Sequence, residues 1–138
     1  MQIVAALFVD AMDLRQVPGP STRIDVTGVQ FSAAAPGPFP CTVEPHLMVL
    51  LRNGEGEKPD GALEVTFHLI SDEDGAGDGE EQVARNVQPV SVEAGKFAYR
   101  LVRAELTYPG PGTVEARVRV DLGDPVVVPY TLLPPVEG

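Results

Sequence analysis

Cysteine is nearly missing: Cys41 is the only one in 138 residues. That excludes an internal disulfide, and nothing demands an oxidising compartment. Basic residues are also scarce, ten against twenty acidic ones, which gives a net charge of −10. A duplex binder needs a positive surface to displace counterions, so nucleic-acid binding is disfavoured. Anionic membranes are disfavoured on the same ground, and the direct consequences of the charge are solubility and self-repulsion. The apolar run at residues 3–9 stops at Asp10, too short to span a bilayer, and no basic residue precedes it as a signal segment would require. A cytoplasmic protein is expected. There is no long helical period, no internal repeat and no Gly-rich loop leading into a helix, so phosphate-loop nucleotide binding has no support.

Glycine and proline, fourteen of each, are abundant and sit in clusters between apolar runs. This distribution suits many short strands joined by turns. The apolar content of 43% is ordinary, and the length suits one domain over 1–138. Arg outnumbers Lys eight to two, a composition typical of GC-rich bacterial genomes.

The clearest element is Thr113–Leu122. Val114, Ala116, Val118, Val120 and Leu122 alternate with Glu115, Arg117, Arg119 and Asp121. Successive strand side chains point to opposite faces, so this is a strand with one dry and one wet face. Gly123-Asp124 and the extended run 126–132 complete a hairpin. Residues 62–70 alternate in the same way, with Leu63, Val65, Phe67 and Leu69 inward. Residues 23–32 change parity at Gly28, the sequence mark of a β-bulge. Four prolines between Ala33 and Pro45 predict an extended crossover between sheets, anchored by Phe39. Residues 82–92 form a weaker strand. Residues 96–108 hold either a strand bulged near Leu101-Val102 or a partly helical segment, and a strand is preferred. The sum is an all-β fold, an antiparallel immunoglobulin-like β-sandwich of seven to eight strands.

Three stretches together resemble a family of small bacterial proteins classed as a domain of unknown function. They are the first strand Ile-Val-Ala-Ala-Leu-Phe-Val-Asp, the strand Ile-Asp-Val-Thr-Gly leading to Pro-Gly-Pro-Phe-Pro, and the strand before Asp-Glu-Asp-Gly with the late Pro-Gly-Pro-Gly turn and final hairpin. The chain departs from the family pattern in lacking a clean second Gly after Gly28. The resemblance implies a β-sandwich and transfers no catalytic residue.

Candidate chemistry is sparse. In the acidic stretch 72–81, Asp72, Asp74, Asp78 and Glu80 are candidate cation ligands, since hard cations take several carboxylate oxygens. Aligned as an EF-hand from Asp72, the stretch has Ala76 at a ligand position and Val83 at position twelve, so the match fails; a solvated hairpin loop is the plainer reading. Cys41 and His46 flank one Pro-rich segment, but no third residue is identifiable to orient them as a nucleophile and base. Cys41, His46 and His68 lack zinc-ligand spacing. No cofactor and no enzymatic activity are expected.

The two-sided strands are more informative. Residues 3–9 and 47–51 are apolar on both faces, and Val126-Val127-Val128 is a run of three. A sandwich strand needs only one apolar face, so the crossover, a fold-back segment or another chain must cover the second. The expected role is an interaction or assembly module that binds a protein partner or a second copy, with Met48, Leu50, Val127, Pro129 and Tyr130 as candidate contacts. The alternative is a sandwich that binds a small molecule, a sugar or calcium at its loop ends.

Overall fold

In the computed structural model, residues 1–16, 22–54, 58–70, 80–121 and 123–136 are described, the side chains of Gln16, Thr22 and Glu80 excepted. These residues form eleven strands and no helix: β1 (Gln2–Gln16), β2 (Thr22–Gln30), β3 (Ser32–Ala34), β4 (Cys41–Val43), β5 (His46–Arg52), β6 (Asp60–Ile70), β7 (Glu80–Ser91), β8 (Phe97–Arg103), β9 (Leu106–Tyr108), β10 (Gly112–Val120) and β11 (Val126–Leu133). Strands β3, β4 and β9 have three residues each, and the remaining eight are the long strands of the sandwich. One sheet has the order β2-β1-β5-β8, a second β3-β11-β10-β6-β7, and β4 pairs with β9 separately.

Alternation in sequence becomes a two-sheet core. Ala6, Phe8, Leu47, Val49, Leu51 and Val102 of the four-stranded sheet share one buried cluster with Leu63, Val65, Phe67, Val114, Ala116, Val118, Val128, Tyr130 and Leu132 of the five-stranded sheet. The β10–β11 hairpin pairs from Gly112↔Leu132 to Val118↔Val126 without a shift. The Pro-rich segment crosses from β3, on the five-stranded sheet, to β5, on the four-stranded one, with Phe39 packed against the core.

Several expectations need correction. The sandwich is not wholly antiparallel, because β3 runs parallel to β11, pairing Ser32–Ala34 with Thr131–Leu133. Gly28 inserts no extra residue, since Val9↔Val29 and Ala11↔Thr27 keep one register. Its φ of +66° and the carboxylate of Asp10 packed where a side chain would begin are what require glycine there. Register shifts lie instead in β1, between the pairs Ile3↔Leu51 and Ala5↔Leu50, and in β7, between the pairs Phe67↔Ala84 and His68↔Gln82. In β7, Val83 is the extra residue, and both Val83 and Ala84 reach the core. Residues 96–108 contain neither helix nor bulge. They form two strands, β8 and β9, and the break at 104–105 moves Leu106 and Tyr108 into the core.

A hydrogen-bonded chain crosses the interior. The buried Tyr108 hydroxyl donates to the Tyr130 carbonyl at 2.8 Å. The Tyr130 hydroxyl donates to Gln30 Oε1 at 3.2 Å, and Gln30 Nε2 donates to Asp10 Oδ1 at 2.6 Å. The rings of Phe8 and Tyr130 meet edge-to-face with centroids 5.0 Å apart, an arrangement favoured by the ring quadrupoles. Burial, then the neighbouring Tyr130, pushes the Tyr108 phenol well above its ordinary value, against a smaller opposing effect of the Val114 backbone.

Two predictions follow from this geometry. Gly28→Ala puts a side chain into the left-handed region and against Asp10, and should cost about 1–2 kcal/mol, read as a lower Tm. Tyr108→Phe removes the buried hydroxyl's hydrogen bond to the Tyr130 carbonyl and should cost about 1 kcal/mol in urea unfolding at neutral pH. Because the unfolded phenol titrates near 10.0 and the folded one higher, its contribution is intact below pH 10.0 and is lost as pH rises from there toward the folded value. The alkaline fall in stability should therefore be shallower in Tyr108→Phe than in the unaltered chain.

Candidate functional site

The two sheets present unlike outer faces. On the four-stranded sheet, strand pairing lines up Leu7, Met48 and Leu101 in one row and Ala5, Leu50 and Tyr99 in the next, with Arg52 beside Phe97 at one end and His46 beside Arg103 at the other. These positions have the parity opposite to Phe8, Leu47, Val49, Leu51 and Val102, which fill the core. The two-sided strands of the sequence are thus neighbours, and their second faces form one apolar surface. Its centre is packed, with Met48 2% exposed, while Tyr99 at 36% and Phe97 at 64% remain open at the β8 side. The Arg52 guanidinium lies over the Phe97 ring, 5.9 Å from its centroid. None of residues 5–9, 46–52 and 97–103 is acidic.

The five-stranded sheet carries a polar outer face with an open groove of about 520 Å³, lined by Glu64, Thr66, His68, Gln82, Arg85, Arg117, Arg119 and Pro125. Register puts Arg119 opposite Glu64, Arg117 opposite Thr66 and Glu115 opposite His68. Glu64 accepts from Arg119 Nε at 2.6 Å through one oxygen, and from Arg85 Nη2 at 2.7 Å and Nε at 3.1 Å through the other. Arg117 Nη2 lies 3.4 Å from Glu115, and His68 Nε2 is 2.9 Å from the Thr66 hydroxyl. The hydrogen bonds from Arg85, then those from Arg119, hold the Glu64 carboxyl below its ordinary value of 4.5, although burial opposes them.

The candidate residues read from the sequence scatter over this frame. Met48 and Leu50 lie on the apolar face, Met48 buried between Leu7 and Leu101 and Leu50 partly exposed. Tyr130 is 5% exposed and belongs to the core, so its side chain offers no outer contact. Val127, at 47% exposure, and Pro129 face outward from β11, with Arg117 and Glu115 as their ladder partners. The expected free edge is half right. Strand β3 covers residues 131–133, and none of the described residues pairs with 126–130 on that side. The Thr131 N–H donates to Phe31 on the β3 side, so Pro129, of the same parity, lacks its N–H on the open edge and not in the β10 ladder.

Cys41 is buried in β4, His46 opens β5, and His68 stands on the opposite sheet's outer face. Among the described residues, no three His, Cys, Asp or Glu side chains are placed to hold a metal. Asp72, Asp74 and Asp78 lie outside the described residues, as does the side chain of Glu80. The sequence reading did not find Arg85, Leu7, Tyr99 or Leu101 as surface contributors. The alternation of Glu64, Thr66 and His68 against Glu115, Arg117 and Arg119 was a usable signal for the polar face. Arg85 had none, because its strand alternates weakly and is bulged.

Glu64 contributes stability that is present above pH 4.5 and is lost as pH falls through its lowered folded value. Glu64→Gln should therefore flatten the acid limb of a Tm-against-pH profile; an unchanged limb would show that the three-residue ion cluster has no stabilising effect. No protein-family model matches the chain, and no curated protein matches it.

Proposed function

We propose that the protein is a non-enzymatic interaction or assembly module whose docking surface is the outer face of the four-stranded sheet. The observation that supports it is the apolar face of Leu7, Leu50, Leu101, Tyr99 and Phe97, over which none of the described residues lays a further strand. Exposed contiguous apolar surface is costly in water and marks sites of association.

A second copy of the chain is the occupant this reading favours. Two chains carrying −10 each repel over most of their surfaces. This face is free of carboxylates over residues 5–9, 46–52 and 97–103, so two copies can meet here without acid facing acid. Arg52 and Arg103 at its ends would then meet the acidic surroundings of the partner copy, and a two-fold contact of this kind is self-complementary and closed.

Sedimentation across micromolar concentrations should give a monomer–dimer equilibrium. Tyr99→Asp, at a partly exposed position, should shift it to monomer without lowering Tm. A unaltered chain that stays monomeric throughout, or a Tyr99→Asp variant that dimerises as well as its parent, would remove the second copy from this face.

A further inference from the structure

We propose that the groove on the five-stranded sheet binds the oxyanion group of a small polar molecule, a carboxylate or a phosphate, on the guanidinium groups of Arg85 and Arg119. This site is on the sheet opposite the apolar face and does not depend on the docking reading.

The first support is charge. Arg85 and Arg119 share the one carboxylate of Glu64, two cations on one anion, in a chain whose net charge is −10. A solvated ladder of cross-strand pairs would be balanced.

The second support is unused donors. A guanidinium has five N–H groups. Arg119 engages Glu64 through Nε alone, and its two Nη groups have no hydrogen-bond partner among the described residues. Arg85 uses Nε and Nη2 on Glu64, and its Nη1 is likewise without one. Nη groups left open in this way are the usual seat for a carboxylate or phosphate oxygen pair.

The third support is order and size. Glu64, only 15% exposed, fixes both arginines before any ligand arrives, which lowers the entropy lost on binding. The groove's volume of about 520 Å³ is in the range of small-molecule sites, and Thr66 and Gln82 add hydrogen-bonding groups for the rest of the ligand. Because the groove is open, affinity should be modest, roughly millimolar for a bare anion.

The test is a ¹H–¹⁵N titration of the full chain with inorganic phosphate and, separately, with citrate, at ionic strength held constant with sodium chloride. At least one probe should give saturable shifts centred on the amides of Thr66, Gln82, Arg85 and Arg119, and the probe that saturates first identifies the oxyanion as phosphate or carboxylate. Arg85→Gln and Arg119→Gln, made singly and together, should weaken that binding, by about tenfold or more in the double variant. Arg23→Gln, on β2, removes the same charge away from the groove and should leave the binding unchanged. The proposal is overturned if neither probe gives saturable shifts, if the shifts spread over all basic residues, or if Arg23→Gln weakens binding as much as the groove variants do. Melting curves establish that each variant is folded. If the double variant is not, the single variants and the shift map of the unaltered chain decide the matter.

Discussion

One buried hydroxyl joins parts of the chain that would otherwise be separate layers. Tyr108 sits on β9, in the small ladder with β4, and its donation to the Tyr130 carbonyl fixes that ladder to the last strand. Tyr130 carries the connection onward through Gln30 to Asp10, from the five-stranded sheet to the four-stranded one. A phenol in an apolar interior is costly unless its hydroxyl is paired, so this polar chain admits few alternative arrangements. It also explains Gly28, because the carboxylate at the end of the chain occupies the space a side chain there would need.

With the core settled on one side of each sheet, the other sides are left to chemistry of opposite kinds. The outer face of the five-stranded sheet is ionic: Glu64 between two arginines, with hydroxyl, amide and imidazole groups beside them. The outer face of the four-stranded sheet is apolar across β1, β5 and β8 and carries no carboxylate over residues 5–9, 46–52 and 97–103. A surface built only for solubility would not be divided in this way, since either face could have carried the same mixture of charges.

Much of the frame was legible in the sequence, and the particular failures have physical causes. The hairpin β10–β11 and strand β6 are readable because a sheet wet on one face enforces alternation. Strands β1 and β5 were readable as two-sided, though not as neighbours, because pairing is a long-range property. Tyr130 was misjudged as a contact. Val127 and Pro129 face outward, so by alternation Tyr130 must turn in, and the two expectations were inconsistent. Met48 has outward parity yet is buried, and neither its register nor its burial can be read from one strand alone. The parallel strand β3 carries no local signature at three residues, and the split between β8 and β9 shows in sequence only as an ambiguous change of parity.

Sheet edges add a last constraint, because an unpaired edge invites further pairing unless something blunts it. Strand β3 is only three residues long, and β7 is bulged and carries Pro89. The uncovered half of β11 has Pro129, and β2 is interrupted by the positive φ of Gly28. Strand β8 has neither proline, glycine nor bulge from Phe97 to Arg103, and its register with β5 is unbroken. Among the described residues its deterrents are Arg100, which donates to the Tyr99 carbonyl, and Arg103. This least protected edge borders the apolar face and contributes Phe97, Tyr99 and Leu101 to it. Open backbone and open apolar side chains therefore coincide on one strand, where a partner can add hydrogen bonds to the edge while it covers the face.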